Sequence, residues 1–594
     1  MNRLFFKYIK CKHKFLLNLI VLFLVASCSE VSEKRLPNIV ILFTDDQGTL
    51  DAGCYNSEDL FTPNIDSLAK RGVLFTQAYG HTVCCPSRAA LLTGRYPQRS
   101  GINSWTQGDA HAELGLNMPL DEVTIAEILS AQGYKTGMFG KWHLGADLEH
   151  GPTQQGFDKF FGFRGGFIDN YCHYYLHHEG FHDLYSSKDE IFKQGEYFPD
   201  LMVNEALYFI DKNKNHPFFL YIPFNLPHYP YQWDSKFDSI YKDIALPREY
   251  YAKAVSTVDD KIGEIISRLK KYGLIDNTLI IFSSDNGYST EDYVIKNSNH
   301  ISGLPKGHDY GAMGGGGNAG NWRGAKGSFL EGGLRVPTII SFPQIFPQGE
   351  LRRQIITNMD FFPTICDILN IPLPENKIDG YSLLPIIESC NEESSYKVLH
   401  FQWFDGWAVR EDKWKLIVNG FDTTDKNLGK ITKKEKMESP FLANLEDEHP
   451  EEINYASRFP EIVKRLTLLH EEWYKDVSMS CGNLKNPKKM KRYGNVIKVK
   501  PEKLDYYKKL HANPWPEVIK AINECNVSNF SIYYKNGYLF SYYEYIGSAY
   551  DADMKKLAEL TKEWLKETDS CQLPVEDAKE GVWWAAMEEV FHTD

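Results

Sequence analysis

Two apolar segments, each followed at once by acidic residues, constrain the fold of this chain most strongly. The first segment covers residues 38–43, is apolar except for Asn38, and is followed by Thr44-Asp45-Asp46. The second covers residues 278–282 and is followed, after one further Ser, by Ser284-Asp285-Asn286-Gly287. Continuous apolar runs of this length are typical of strands that are buried on both faces of a parallel sheet. Because the carboxyl ends of parallel strands meet at one edge of a sheet, we expect the two acidic segments to lie close together.

Further apolar runs alternate with segments that have helical spacing. The predicted helices cover 62–71 and 120–132, and the other predicted strands cover 136–139, 218–222 and 336–341. Strands that alternate with helices predict an α/β domain in which a mainly parallel sheet lies between helices. We place this domain at residues 37–389.

The pattern changes at residue 398. Segments 398–403 and 407–418 alternate between apolar and polar side chains on either side of Asp405-Gly406, which indicates an antiparallel hairpin. A helix is predicted over 460–475. Residues 390–478 are therefore interpreted as a smaller α+β subdomain.

A basic stretch at 485–492 separates this subdomain from the rest of the chain. A solvated linker over 479–494 is the simpler interpretation, and a segment that holds a polyanion is the alternative. Residues 495–594 then form a further domain with its own strands and helices.

Composition excludes one class of partner. The chain has 594 residues, enough for several domains, and a formal net charge of −13. Phosphate contacts need a basic surface, so no nucleic-acid partner is expected. Aromatic residues make up 14% of the chain, a content typical of sugar-handling proteins and also of ordinary aromatic cores.

The N-terminus carries the pattern of an export signal. Basic residues precede an apolar run at 15–25, which is shorter than a membrane-spanning helix and ends in Val25-Ala26-Ser27-Cys28. This ending resembles a bacterial lipobox, in which cleavage leaves a Cys that carries lipid. An ordinary cleavable signal peptide with an incidental Cys is the alternative.

The lipobox resemblance implies a lipoprotein signal peptide at 1–27, lipidation of Cys28 and a tether at 28–36. Acyl chains on Cys28 would hold the exported protein at a membrane. The predicted location is the periplasm or the outer membrane and cell surface of a bacterium.

Four polar residues at the predicted sheet edge could bind a metal. Asp45, Asp46, Asp285 and Asn286 supply only oxygen ligands, which suit Ca²⁺ or Mg²⁺ better than Zn²⁺. The alternatives are carboxylates that cap a turn at residues 45–46 and a plain turn at 285–287.

The most specific motif is Cys84-Cys85-Pro86-Ser87-Arg88, of the form Cys-x-Pro-Ser-Arg, which is followed by Leu92-Thr93-Gly94-Arg95. Together these residues closely resemble the signature of type I sulfatases, which have an alkaline-phosphatase-like fold. Further segments fit the same family in the same order: Asp45-Asp46, residues 140–145, residues 225–228, residues 285–287 and residues 326–337.

The resemblance implies a modified nucleophile. In this family the motif Cys, here Cys84, is converted by a formylglycine-generating enzyme to formylglycine, also called 3-oxoalanine. Its hydrate can attack sulfur with one oxygen and expel sulfate by returning to the aldehyde, so no water has to attack the sulfate ester. Arg88 would hold the hydrate. The alternative for Cys84 is an unmodified buried thiol without a catalytic role.

The resemblance also assigns the surrounding residues. Lys141 and Lys326 would bind sulfate oxygens, His143 would take a proton from the hydrate, and His228 would stand by the leaving oxygen as general acid. The metal ligands would be Asp45, Asp46, Cys84, Asp285 and Asn286. Family precedent favours one Ca²⁺ over Mg²⁺.

Polar residues in loops between the motifs could contact a sugar, although ordinary loop roles are the alternative for each of them. These residues are Arg164, Asp169, Asn170, Tyr171, His173, His177, His178 and His308.

The last predicted domain has a resemblance of its own. Tyr507, His511, Trp515-Pro516 and residues 529–533 resemble L-rhamnose mutarotase, a small ferredoxin-like α+β domain. His511 matches the catalytic His of that family and Tyr507 its neighbouring Tyr. The chain departs from the family at Phe530, where the family has Tyr, and at Trp564-Leu565, where it has paired Trp.

Together the two resemblances imply a hydrolase for sulfated polysaccharide or its oligosaccharides, with rhamnose sulfate of ulvan as the expected substrate and rhamnose mutarotase activity as a further possibility. Two alternatives remain open. One is a phosphodiester or phosphonate monoester hydrolase of the same fold. The other is a non-catalytic lipoprotein that captures glycans and in which Cys84 is never converted.

Overall fold

The computed structural model describes residues 35–103, 117–145, 147–310, 315–424, 435–480, 491–545, 550–576, 578 and 583–590. The predicted signal peptide, the predicted lipidation site Cys28, most of the predicted tether and residues 481–490 of the predicted linker lie outside these ranges. The chain divides into two compact units, Met1–Met479 and Ser480–Asp594.

The first unit contains the following strands: β1 (Asn38–Thr44), β2 (Val73–Tyr79), β3 (Lys135–Lys141), β4 (Lys159–Phe163), β5 (Tyr174–Tyr175), β6 (Phe181–His182), β7 (Tyr185–Ser186), β8 (Asp189–Glu190), β9 (Phe218–Pro223), β10 (Thr278–Ser284), β11 (Thr338–Ser341), β12 (Glu350–Thr357), β13 (Val398–Trp403), β14 (Gly406–Glu411), β15 (Trp414–Val418), β16 (Phe421–Asp422), β17 (Glu435–Lys436) and β18 (Phe441–Asn444).

Its α-helices are α1 (Pro63–Lys70), α2 (Cys84–Thr93), α3 (Ile125–Ala131), α4 (Phe198–Asn213), α5 (Asp238–Tyr241), α6 (Arg248–Lys271), α7 (Glu331–Leu334), α8 (Phe361–Leu369), α9 (Leu384–Glu388) and α10 (Pro460–Ser480).

A ten-stranded sheet of described residues dominates this unit, in the order β12-β2-β11-β10-β1-β9-β3-β4-β7-β8. Strand β1 lies parallel between β10 and β9, and β3 and β4 continue the parallel arrangement. The antiparallel pairs involve β11 and β7. The prediction of a mainly parallel sheet is therefore confirmed.

Both faces of this sheet are covered. Val40 and Leu42 of β1 pack into a core with α1, α4 and α6, whereas Ile39 and Ile41 pack into a second core with α2, α3 and α8. This two-sided burial explains why β1 is continuously apolar rather than alternating.

A predicted helix and a predicted strand begin later than expected. The helix predicted over 120–132 begins only at Ile125, because Thr124 and Glu127 form a capping box that fixes the first turn there. The strand predicted from residue 336 begins at Thr338. Pro337, just before it, has no N–H to donate to a neighbouring strand.

A second sheet forms the α+β part of the first unit. Its order is β13-β14-β15-β18 and its pairs are antiparallel. The segment predicted as one hairpin arm at 407–418 is divided into β14 and β15 by a turn at Asp412-Lys413. Helix α10 covers this sheet through Leu466 and continues beyond the predicted end at 475.

The second unit contains β19 (Lys491–Val499), α11 (Leu504–Ala512), α12 (Pro516–Glu524), β20 (Val527–Lys535), β21 (Tyr538–Tyr545), α13 (Tyr550–Leu560), α14 (Lys562–Asp569), β22 (Gln572–Leu573) and β23 (Ala585–Ala586).

Its main sheet has the antiparallel order β20-β21-β19-β22. This strand order and the helices between the strands are those of a ferredoxin-like domain, as predicted. Residues 491–494 belong to β19 and pair with β21, so the predicted linker end at 494 extends too far into the domain.

None of the helices in the described ranges combines the length and the apolar character that a membrane-spanning helix requires.

Candidate active site

The carboxyl ends of neighbouring strands bring the predicted site residues to one edge of the large sheet. The register pairs Thr44 at the end of β1 with Ser284 at the end of β10, so the acidic residues that follow both strands are neighbours. Lys141 ends β3, and His143 and His228 lie in the loops that follow β3 and β9. The expected juxtaposition of the two acidic segments is therefore present.

The acidic residues form a buried cluster. Asp45, Asp46 and Asp285 are at most 1% exposed. The backbone N–H of Asp46 donates to Asp285 Oδ1 at 3.1 Å. Potential ligand atoms of Asp45, Asp46, Cys84 and His228 all lie within 4.8 Å of one another. The cluster thus includes His228, which was not among the predicted ligands.

Asn286 supports the expectation of a metal site. Its Nδ2 donates to Asp46 Oδ1 at 2.7 Å and to the backbone carbonyl of Gly287. Its Oδ1 is buried and has no hydrogen-bond partner. An unpartnered amide oxygen beside three carboxylates is a donor set that fits Ca²⁺ or Mg²⁺.

The carboxylates differ in their pKa shifts. Burial raises the pKa of Asp46 to about 7, and the charges of Asp45 and Asp285 add to this effect while Lys326 opposes it. Burial acts in the same direction on Asp45, but the combined attraction of the surrounding positive charges, of which Lys141 contributes most, outweighs it and the pKa falls below its ordinary value. A divalent cation at this site would favour ionisation of all three carboxylates.

Three cations face these carboxylates, of which Arg88 and Lys141 are buried and Lys326 is half-buried. Lys141 Nζ lies 2.6 Å from Asp45 Oδ2, Arg88 Nη2 lies 2.9 Å from Asp285 Oδ2, and Lys326 Nζ lies 3.0 Å from Asp46 Oδ2. Buried charges of this kind are costly unless they are paired. Their convergence on one point makes the site suited to binding a compact anion.

Cys84 is the first residue of α2, a helix whose residues are all buried. Its Sγ lies 3.5 Å from Asp45 Oδ1. Burial, with a further contribution from Asp45, raises the pKa of the Cys84 thiol well above its ordinary value. An unmodified thiol at this position would therefore be protonated and a poor nucleophile at neutral pH.

The two predicted catalytic histidines are buried close to these groups. His143 has a φ of 57°, and its backbone N–H donates to the carbonyl of Arg164. Its Nδ1 is buried and has no hydrogen-bond partner. Burial, together with the charge of Lys141, lowers its pKa, so the neutral form that can accept a proton is favoured.

His228 lies beside Asp46. Its Nδ1 is 2.6 Å from the carbonyl of Tyr229, so in the neutral ring Nδ1 donates that bond. Its Nε2 lies 3.6 Å from Asp46 Oδ2. Burial and the charge of Lys326 lower the pKa of His228.

Sequence reasoning missed Tyr251 of α6. This fully buried side chain accepts a hydrogen bond from the N–H of Gly48 at 3.0 Å and donates to the carbonyl of Asp46 at 3.1 Å. It thereby supports Asp46, whose φ of 62° is unusual for a residue other than glycine. A Tyr in an amphipathic helix resembles a core residue, so no sequence signal indicated this role.

Several of the predicted sugar contacts have structural roles in the loops. Asp169 accepts hydrogen bonds from the N–H groups of Tyr171 and Cys172, and Asn170 accepts one from Asn225 Nδ2. The ring of His173 is bonded to the carbonyl of Glu196. These buried groups therefore stabilise the loop after β4 and join it to the loop after β9, and their contact with a sugar stays a prediction.

The remaining candidates are dispersed. The guanidinium of Arg164 lies 3.8 Å from the centre of the Tyr185 ring, and His177 packs against Phe167 and Tyr293. Tyr171 and His178 are exposed, and His308 is half-buried near residue 295.

The second unit has a separate pocket of about 240 Å³ that contains both mutarotase-like residues. Tyr507 and His511 stack with ring centres 4.1 Å apart, and Gln572 Nε2 donates to the Tyr507 hydroxyl. Phe530 and Trp564 also line this pocket. The two departures from the resembled family therefore lie at the pocket wall.

Comparison with family profiles matches three stretches of the chain. Residues 37–371 match the family described as Sulfatase. Residues 324–466 match the family described as N-sulphoglucosamine sulphohydrolase, C-terminal. Residues 492–593 match the family described as L-rhamnose mutarotase.

Individual proteins agree with the first match. Human (Homo sapiens) steryl-sulfatase is 30% identical over 442 residues, which cover 61% of this chain and 71% of that protein. Human arylsulfatase A is 28% identical over 481 residues, which cover 75% of this chain and 89% of that protein.

A solved structure agrees as well. The crystal structure of Ps i-CgsB in complex with k-i-k-neocarrahexaose aligns with a TM-score of 0.60 at 30% identity. The alignment covers 74% of this chain and 93% of that one. Because the match to the Sulfatase family covers more than half of this chain, the chain belongs to the sulfatase family and is a sulfuric ester hydrolase.

Proposed function

We propose that this protein removes sulfate from a sulfated glycan, with rhamnose sulfate of ulvan as its substrate, and that a formylglycine at position 84 is the nucleophile. The observation that carries the proposal is the convergence of Arg88, Lys141 and Lys326 on a buried acidic cluster beside Cys84. Such a site offers both a metal and fixed cations to a sulfate group.

Sulfatases generally use formylglycine and a divalent metal. In the proposal Cβ of Cys84 would be the aldehyde carbon, and Sγ marks the position of one of the two hydrate oxygens that this carbon would carry. The hydrate supplies a nucleophilic oxygen and a second hydroxyl whose deprotonation releases sulfate. Arg88 orients these oxygens, because its guanidinium is fixed by Asp285 and by the Lys141 carbonyl.

Asp45, Asp46, Asp285 and Asn286 would hold the metal, for which we propose Ca²⁺. Bound there, the ion would neutralise sulfate charge and increase the acidity of the hydrate. Lys141 and Lys326 add positive charge that needs no reorganisation, since both ammonium groups are already held by carboxylates.

We assign the two histidines to different groups of the reaction, His143 to the hydrate and His228 to the leaving oxygen. The lowered pKa of His143 keeps its imidazole neutral, so it can take the proton of the second hydroxyl and drive sulfate release. His228 presents Nε2 beside Asp46, where it can contact the oxygen of the leaving alcohol.

The glycan part of the proposal comes from two comparisons. Ps i-CgsB, which shares the fold and 30% identity, was crystallised with k-i-k-neocarrahexaose. The match of residues 492–593 to L-rhamnose mutarotase points to a rhamnose-containing substrate. We propose that the pocket around Tyr507 and His511 binds rhamnose and interconverts its anomers.

We also propose that the protein is exported as a bacterial lipoprotein. Cys28 would carry the lipid, and residues 28–36 would tether the enzyme in the periplasm or at the outer membrane and cell surface. Labelling of intact cells with an alkyne fatty acid, compared with a Cys28→Ala variant, tests this point, because lipidation requires the thiol.

The test of function is release of inorganic sulfate from ulvan oligosaccharides, measured by ion chromatography. Carrageenan and glycosaminoglycan oligosaccharides and a phosphodiester are assayed in parallel. Release from ulvan alone supports the proposal. Release from another glycan but not from ulvan contradicts the substrate, and phosphodiester turnover without sulfate release contradicts the reaction.

A further inference from the structure

The loop that carries Lys326 is held by a segment that lies far away in sequence. Thr423, which follows β16 in the α+β part of the first unit, is only 3% exposed. Its Oγ1 accepts a hydrogen bond from the N–H of Ala325 at 2.9 Å and donates to the carbonyl of Ala325 at 2.9 Å. One hydroxyl thus fixes both backbone groups of the residue that precedes Lys326.

Neighbouring contacts extend this attachment along the loop. Thr424 Oγ1 accepts from the N–H of Gly324 at 3.0 Å. On the other side of Lys326, Ser328 Oγ donates to the carbonyl of Phe421 at 2.8 Å. Residues 421–424 therefore bond to the loop both before and after Lys326.

The opposite side of the loop is fixed by the catalytic part of the same unit. The N–H of Lys326 donates to the carbonyl of Tyr288 at 2.9 Å, and the N–H of Gly327 donates to the carbonyl of Thr82 at 2.8 Å. The backbone of Lys326 is thereby held between the two parts, and its Nζ reaches Asp46.

Such support has a chemical consequence. Lys has a long and flexible side chain, so the position of its ammonium depends on a fixed backbone. A displacement of about 1 Å at a group that stabilises a transition state can cost about 10²-fold in rate. Loss of the Thr423 hydroxyl would leave both the N–H and the carbonyl of Ala325 without these partners.

We propose that Thr423 is a positioning residue for sulfate ester hydrolysis and acts by fixing the Lys326 loop. The inference rests on the role of Lys326 in the proposed function. Residues 421–424 of the α+β part would thus contribute to catalysis indirectly, through the Lys326 loop, and not through a side chain at the reacting atoms.

The test compares Thr423→Val, which keeps the shape but removes the hydroxyl, with Thr423→Ser, which keeps the hydroxyl. We expect Thr423→Val to lower kcat about tenfold with little change in KM, and Thr423→Ser to retain activity within about twofold. Thr467→Val is the matched control, because Thr467 Oγ1 also bonds a backbone carbonyl in the same α+β part.

Melting temperatures separate positioning from a general loss of stability. If Thr423→Val and Thr467→Val lower the melting temperature alike but only the first lowers kcat, the proposal is supported. Equal loss of kcat in the two variants, or unchanged kcat in Thr423→Val, overturns it.

A double variant distinguishes this inference from the proposed function itself. In a Lys326→Ala background, Thr423→Val should cost less than about twofold further, since its effect acts through Lys326. Additive losses contradict the inference and leave the role of Lys326 intact. Full activity of Lys326→Ala, by contrast, contradicts the proposed function.

Discussion

The two units of this chain contain sites of opposite electrostatic character. At the sheet edge of the first unit, three buried carboxylates face Arg88, Lys141 and Lys326. In the second unit, the pocket around Tyr507 and His511 is lined mainly by apolar and aromatic side chains. Dense buried charge is costly for folding and is useful where charge develops in a reaction.

The difference indicates what each site can bind. A sulfate ester carries negative charge that fixed cations and a metal can hold, whereas a free deoxy sugar is neutral and offers apolar faces to aromatic rings. The comparison therefore predicts that substitution of a charged residue at the sheet edge lowers sulfate release and leaves rhamnose binding unchanged. Substitution of an aromatic residue in the second pocket should weaken rhamnose binding and leave sulfate release unchanged.

Removal of one positively charged side chain from the sheet edge should give the largest difference between the effects on sulfate release and on rhamnose binding. We expect Lys141→Ala to lower sulfate release about 10²- to 10³-fold, as for loss of a preorganised transition-state contact. Rhamnose binding by the second unit should not change. Sulfate release by Lys141→Ala within a factor of two of the wild type would break the comparison.

Removal of the metal should come next. Treatment with EDTA is expected to lower kcat about 10²-fold, because a Lewis acid supplies several kcal/mol of transition-state stabilisation. Added Ca²⁺ should restore activity more fully than Mg²⁺. Rhamnose affinity, measured by calorimetry before and after chelation, should stay constant; activity that resists exhaustive chelation contradicts a metal at the acidic cluster.

Tyr251→Phe should have a smaller effect on the same cluster. The lost hydroxyl supports the backbone of Asp46, and loss of such supporting bonds typically weakens metal binding 10- to 100-fold, so we expect about tenfold weaker Ca²⁺ binding. Tyr250→Phe is the matched control, because Tyr250 lies on the same helix as Tyr251 but packs against Trp233. Equal Ca²⁺ affinity in the two variants would argue against this role.

The smallest effect is expected in the neutral pocket. Phe530→Ala removes an aromatic wall and should weaken rhamnose binding several-fold, in line with the ~1 kcal/mol contribution of an aromatic contact. Tyr533→Ala, on the same strand but outside the pocket lining, is the control. Calorimetry should show a change in the first variant only, with sulfate release unaltered in both.

Much of the catalytic edge could be predicted from the sequence because its residues follow strands that are recognisable locally. The apolar runs of β1 and β10 identify buried strands, and parallel pairing then places Asp45 and Asp285 together. The buried environment of Cys84 follows from the same arrangement, since α2 packs under that edge.

Contacts that depend on tertiary structure could not be predicted in this way. Thr423 and Tyr251 have no local pattern that distinguishes them from ordinary polar and core residues, yet both hold a site loop from a distant part of the chain. The helix predicted over 120–132 begins later, as α3, because the capping box at Thr124 determines its first turn. The structural partners of Asp169 and His173 could not be predicted either, because they are backbone groups and, for Asp169, also the Gln232 side chain from another loop.

The most direct test of the account is sulfate release by Cys84→Ala, produced in a host that contains a formylglycine-generating enzyme and compared with the wild type. The account predicts a loss of at least about 10⁴-fold with an unchanged melting temperature, because removal of a nucleophile disables the whole catalytic unit. Undiminished sulfate release by this variant would contradict the central claim that position 84 carries the nucleophile.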